Sequence, residues 1–115
     1  MKDGHHINDD GSEVWIKNGK LHREDGPAII YSECQEWYKN GDRHREDGPA
    51  IIYSNGDKIW YQNGKRHRED GPAKIWNSDY GEYWLNGTRY IDVKNNLLWL
   101  LFVQKMKRKQ KEKVR

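Results

Sequence analysis

Through most of the chain, apolar residues come in bursts of two to four, most of them separated by polar stretches that hold Gly, Asn or Pro. Three bursts read Trp15-Ile16, Trp37-Tyr38 and Trp60-Tyr61, and each leads into Asn-Gly at Asn18-Gly19, Asn40-Gly41 and Asn63-Gly64. Asn-Gly between strand-like segments is a strong hairpin signal, because both central residues of a type I′ turn need positive φ. A two-residue loop also sets register. Trp15 then faces His22, Trp37 faces His44 and Trp60 faces His67. Ile16 faces Leu21, Tyr38 faces Arg43, Tyr61 faces Arg66, Tyr83 faces Tyr90 and Trp84 faces Arg89. One face is expected to carry aromatic–imidazole pairs and the other aromatic–Arg pairs, each contributing roughly 0.2–1 kcal/mol.

After each hairpin comes the same phrase, His-Arg-Glu-Asp-Gly-Pro-Ala, at 22–28, 44–50 and 67–73. Pro cannot donate to a ladder and Gly permits unusual backbone, so the phrase reads as a sharp connection. Apolar strands follow at Ala28-Ile29-Ile30-Tyr31, Ala50-Ile51-Ile52-Tyr53 and Ala73-Lys74-Ile75-Trp76, and a second turn closes the unit. The period is 22 and then 23 residues, the first unit being one residue shorter in that second turn. Repeats of this length signal an array of supersecondary units. The polar start aligns with a preceding unit, Gly11 with Gly56 and Ile7 with Ile52, and reads as a degenerate N-terminal cap with no signal peptide.

The pattern changes after Tyr83-Trp84-Leu85-Asn86-Gly87. Gly and Pro disappear and Leu97 to Val103 is continuously apolar, which predicts a helix capped by Asp92 or Asn95. Val93, Leu97, Leu100 and Leu101 lie on one side of it, with Leu98, Phe102 and Met106 beside them. Such a helix can cover the open end of the array. The expected fold is mainly β: an elongated single antiparallel sheet of consecutive hairpins with a C-terminal α-helical cap. The expected divisions are 1–12 for the degenerate cap, 13–91 for the repeats (about 13–35, 36–58, 59–81 and a partial 82–91), and 92–115 for the helix and its tail.

Composition sharpens this picture. Only 34% of the 115 residues are hydrophobic, but six are Trp and seven Tyr. Aromatics bury much area per residue, so a thin aromatic-rich sheet fits better than disorder or a thick core. The single cysteine, Cys34, excludes an internal disulfide framework and fits a reducing, cytoplasmic setting. Net charge is +3, unevenly placed: 105–115 holds seven Lys/Arg and one Glu, +6, leaving −3 for the rest. Lys105, Lys107, Arg108, Lys109 and Lys111 are therefore candidates for phosphate contact with nucleic acid or anionic membrane. Leu98, Trp99, Phe102 and Met106 are the candidates for homo-oligomer or membrane contact.

The Gly-Lys-x-His motif followed by Gly, with aromatics before it and a 22–23-residue period, resembles the MORN repeat over roughly 13–89. Two residues more than in the ordinary unit separate His from Gly. The His-Arg-Glu-Asp-Gly-Pro-Ala variant resembles MORN-like units of bacteriophage and giant-virus proteins. The resemblance implies a non-enzymatic module that binds proteins or membranes, here a small viral accessory protein docking on a host defence protein as an inhibitor. The other readings are a membrane-surface or nucleic-acid adaptor acting through the basic helix, and a protein that sequesters a small nucleotide.

Catalytic readings fare poorly. Equivalent His residues two strands apart stand about 10 Å from one another, too far to share a metal ligated at about 2 Å. They read as structural, aromatic-paired residues, and His5-His6 lacks further ligands. The Arg-Glu-Asp triplets lack a cleft for paired-carboxylate chemistry. Asp25, Asp47 and Asp70 are expected to bond their own turns, with Arg23, Arg45 and Arg68 paired to carboxylates of the same or a neighbouring unit. No cofactor fingerprint is present. The partner-binding candidates are Arg23, Arg45, Arg68, Tyr38, Tyr61, Trp84, Arg43 and Arg66, with Arg the stronger expected contributor.

Overall fold

The computed structural model describes residues 2–77 and 80–114. Its fourteen strands are β1 (Gly4–Ile7), β2 (Glu13–Lys17), β3 (Lys20–Leu21), β4 (Ile29–Tyr31), β5 (Cys34–Glu36), β6 (Tyr38–Lys39) and β7 (Asp42–Arg43), then β8 (Ile51–Tyr53), β9 (Lys58–Ile59), β10 (Tyr61–Gln62), β11 (Lys65–Arg66), β12 (Lys74–Ile75), β13 (Gly81–Leu85) and β14 (Thr88–Tyr90). One helix, α1 (Asn96–Val114), closes the chain. Ten strands form one antiparallel sheet in the order β1-β2-β4-β5-β8-β9-β12-β13-β14, with β3 also on β2. Hairpins β6-β7 and β10-β11 stand apart as two-stranded pieces.

The turn chemistry sets this topology. Asn18, Asn40, Asn63 and Asn86 have φ of 53°, 51°, 51° and 48°, and the following glycines are also positive, as a type I′ turn requires. The pairs Ile16–Leu21, Tyr38–Arg43, Tyr61–Arg66, Tyr83–Tyr90 and Trp84–Arg89 form as expected. The N-terminal alignment also holds. Asn8 N–H to Ser12 O (2.8 Å) and Gly11 N–H to Asn8 O (3.0 Å) repeat the bonds of Tyr53 to Asp57 (2.9 Å) and Gly56 to Tyr53 (3.0 Å).

The small hairpins leave the main sheet at a tryptophan. Trp37 donates its N–H to Ala50 O at 2.7 Å, just before β8, while its carbonyl accepts from His44 N at 3.1 Å, just after β7. Trp15 and Trp60 make the same switch. Ala28, Ala50 and Ala73 sit fully buried, their backbones bonded to neighbours on both sides.

The molecule, helix included, is thin, with extents of 49 × 39 × 19 Å. Its radius of gyration, 16.4 Å, exceeds the roughly 13 Å of a compact 100-residue domain. Directly opposed residues share a face. One row runs Val14, Ile29, Glu36, Ile51, Ile59, Lys74, Glu82; the row on the opposite face runs Glu13, Ile30, Gln35, Ile52, Lys58, Ile75, Gly81. Alternation along the strands adds Tyr31, Cys34 and Tyr53 to the first, hereafter the tyrosine face. Trp15, Trp37 and Trp60, each one residue beyond the first row, belong to the second, the loop face.

The helix starts at Asn96 rather than near 92, with Asn95 as its cap: Asn95 Oδ1 accepts from Leu98 N–H at 2.9 Å. It packs on the loop face of the last hairpin. Trp99 is fully buried against Tyr83, Tyr90 and Leu85, and Val103, Phe102 and Met106 join it. Trp99 Nε1 donates to Arg68 O at 3.1 Å. A Trp lost from such a site typically costs about 3–5 kcal/mol. The expected sidedness is thus corrected. Trp99, Phe102 and Met106 face the sheet, while Leu97, Leu98, Leu100 and Leu101 face outward. Among the described residues, no helix is long and apolar enough to cross a membrane.

Candidate functional site: two faces of a repeat sheet

The loop face is built from the repeated phrase. Arg23, Arg45 and Arg68 lie over Trp15, Trp37 and Trp60, with the guanidinium carbon 3.8, 4.0 and 4.0 Å from the ring centre. Each Nε donates to the aspartate two residues on, at 3.1, 2.9 and 2.8 Å. Each Nη1 donates to the proline carbonyl four residues on, at 3.2, 3.1 and 3.1 Å. The intervening glycine makes room for the arginine: a Cβ on Gly26 would stand 3.0 Å from the Arg23 guanidinium carbon and press on it. Arg, Asp, Gly and Pro therefore form one clamp. These three arginines, expected as partner contacts, are committed to their own loops, with side chains only 22–23% exposed. The expected pairing of each Arg with a carboxylate of its own unit thus forms, and this Arg is the aspartates' side-chain partner.

The histidines do not pair with the tryptophans as expected, because the arginines occupy those rings. His22, His44 and His67 instead reach the next unit. Nδ1 accepts the backbone N–H of Asn40, Asn63 and Asn86 at 3.0, 2.9 and 3.0 Å. Nε2 meets Glu24, Glu46 and Glu69 at 2.7, 3.3 and 3.2 Å. An amide donor at Nδ1 leaves the hydrogen on Nε2, so the neutral Nε2–H tautomer satisfies both partners. The bond from His22 holds the Glu24 carboxyl below its ordinary range. The imidazole that stacks on a tryptophan is His5, on Trp15, at 4.2 Å.

What the loops offer outward is carboxylate. The Asp25 and Asp47 side chains are 86% exposed. A groove of about 640 Å³ between the first two loops is lined by Glu24, Asp25, Glu46 and Asp47 together with Arg23, Lys39 and Arg45, the two arginines being the less exposed partners of their aspartates. An incoming phosphate would meet the carboxylates first.

The tyrosine face has a different chemistry. Glu36, 5% exposed, accepts from Arg43 Nε at 3.0 Å, from Tyr38 Oη at 3.2 Å and from Tyr31 Oη. That bond to Glu36, helped by burial, raises the Tyr31 phenol above its ordinary range. Burial, with the Glu36 charge beside it, pushes the Cys34 thiol up to about 11, away from nucleophilic use. Arg43 lies between two rings, 5.9 Å from Tyr38 and 5.6 Å from Tyr61. Arg66 lies 4.9 Å from Trp84 of the next unit and 3.4 Å from Tyr61 Oη. Glu82 repeats the role of Glu36, accepting from Trp84 Nε1 at 3.1 Å with Arg89 at 3.8 Å. The candidates Tyr38, Tyr61, Trp84, Arg43 and Arg66 thus converge on one ladder. It is flanked by the exposed Tyr31, Tyr53 and Tyr80. Sequence reasoning missed Glu36 and Glu82. Aligning the units puts Val14, Glu36, Ile59 and Glu82 at one position, with Arg seven residues beyond each Glu, and that was the available signal.

Of the basic candidates, Lys107 pairs with Glu69 of the last loop, while Lys105, Arg108, Lys109 and Lys111 are exposed. That pair, opposed by burial and helped by His67, holds the Glu69 carboxyl below its ordinary range. Trp99 is unavailable to a membrane, since it is the best-buried large side chain among the described residues. Among those residues no three His, Cys, Asp or Glu side chains converge as a metal site. No family model, curated protein or solved structure matches the chain.

Proposed function

We propose that the chain is a non-enzymatic protein-binding module that docks through its tyrosine face. The observation that carries this is the continuous ladder Tyr38–Arg43–Tyr61–Arg66–Trp84, left uncovered because α1 caps the opposite face. Tyr, Trp and Arg dominate binding energy at protein interfaces, and they do so best when held rigid before contact. Glu36 and Glu82 supply that rigidity here. Both ring nitrogens of each repeat histidine are occupied and the cysteine is held as a thiol, which supports a binding role over a catalytic one for these residues. The acidic loop face disfavours phosphate ligands, so nucleic-acid and nucleotide readings gain no support from the repeats. A host protein in a cytoplasmic setting, with inhibition as the outcome, is the partner that the resemblance to viral repeat units adds to this proposal.

Affinity capture from bacterial lysate at low and moderate salt tests it. Three forms are compared: the native chain, Arg43→Glu/Arg66→Glu on the tyrosine face, and a form with Lys105, Arg108, Lys109 and Lys111 changed to Gln. A protein retained by the native and tail-neutralised forms but lost with the face variant is the expected result. Capture that follows the tail charges and vanishes with salt would instead assign function to the basic helix.

A further inference from the structure

We infer that α1 is the contact surface for a second copy of this chain, the two helices crossing antiparallel at their first two turns. Leu97 and Leu101 are 65% and 53% exposed, Leu98 and Leu100 flank them, and Ile91 is 78% exposed. A chain with mean hydropathy of −1.25 thus leaves most of its leucines in water. Beside them, Tyr90, Ile91, Val93, Leu98 and Phe102 line a mainly apolar groove of about 500 Å³, with Arg89 and Asp92 also lining it. The exposed apolar area is on the order of 500 Å², near the upper limit for a monomer's largest patch. Matched against a second copy, it gives a shared interface of about 1,000 Å², the lower bound for a specific one.

Polarity along the helix argues for a second copy over a lipid surface. A helix lying in a membrane interface is apolar along one whole side and basic along the other. In α1 the polarity changes along the axis. The outward stripe is leucine at Leu97 and Leu101 and then turns to Gln104, Lys105 and Arg108. Only two turns are apolar, which suits a short, steep crossing built on the i, i+4 ridge of Leu97 and Leu101. With the axes antiparallel, the basic halves diverge from the crossing. Lys111 of each copy ends about 15 Å beyond its own Leu101, away from its counterpart. A parallel pair would bring two strongly basic segments side by side.

Sedimentation equilibrium at about 100 µM tests the inference. The expected result is twice the 13.8 kDa chain mass for the native protein, and the single mass for Leu97→Lys/Leu101→Lys with unchanged circular dichroism. If the lysine variant loses its fold, Leu101→Cys decides. Near the two-fold axis it forms a disulfide-linked dimer on mild oxidation, whereas Asn55→Cys does not; Cys34 is buried and does not compete. A native protein at single mass, a lysine variant that still dimerises, or no Leu101→Cys cross-link overturns the inference. So does a monomer that floats with phosphatidylcholine–phosphatidylserine vesicles and loses this with Leu97→Lys/Leu101→Lys.

Discussion

If His44 ties its unit to the next through Nδ1, the two amide replacements for histidine should behave differently. In His44→Asn the side-chain oxygen stands close to where Nδ1 stood and can accept the Asn63 N–H, now 2.9 Å from the ring. In His44→Gln the amide reaches instead toward the Nε2 position and Glu46. The bond at stake is neutral and sits at a turn exposed to water, so losing it costs about 1 kcal/mol. Both variants also lose part of a ring whose side chain is only 10% exposed, and that loss is shared. His44→Asn should therefore be more stable than His44→Gln by about 1 kcal/mol, a urea midpoint difference of about 0.3–1 M. Amide exchange at Asn63 should quicken in the Gln variant and stay near native in the Asn variant. Nitrogen chemical shifts of the native ring should report the Nε2–H tautomer. Equal midpoints, or a more stable Gln variant, would refute the staple.

Trp99→Ala should cost about 3–5 kcal/mol by urea unfolding and expose the last hairpin first, because Trp99 both fills the cap and bonds Arg68 O. Glu36→Gln should destabilise by about 1.5–3 kcal/mol, since a charge-assisted bond to Arg43 is lost. Ultraviolet titration of the same variant should bring the Tyr31 phenol back toward its ordinary value. In the native chain the raised Tyr31 value means that stability falls as pH rises above the ordinary tyrosine range, because the unfolded phenol ionises first. Glu69 has the opposite sign. Its carboxyl is lowered by Lys107, so its contribution is complete above the ordinary glutamate value of 4.5 and is lost as pH falls through the folded value. Helix α1 should loosen over that acid window, and Glu69→Gln should abolish the step in helix circular dichroism.

Hairpin turns, strand register and the terminal helix were legible because each rests on neighbours within a few residues. Asn-Gly forces its own φ values, and a two-residue loop leaves one register. What escaped is contact across the period. The partner of His44 Nδ1 lies 19 residues on, in the turn of another unit, so local pattern paired the imidazole with the Trp opposite it. Opposition placed Trp37 and His44 correctly in the backbone, but Arg45 claimed the indole face. Glu36 escaped for a similar reason: it reads as an ordinary strand carboxylate until Tyr31, Tyr38 and Arg43 close around it. The helix posed a different problem. Its first two turns are apolar all round, so periodicity could not choose the buried side. Trp99 fits against Tyr83 and Tyr90, and Arg68 O lacked a donor that its indole supplies.

The most direct test of the tyrosine face as the working surface is site-specific photo-cross-linking in lysate. A benzophenone side chain is placed at Tyr53 on that face or at Asp47 on the loop face, both exposed. A single discrete adduct from position 53, and none from position 47, is the predicted result. An adduct confined to position 47 would contradict the account and move the docking surface to the acidic loops.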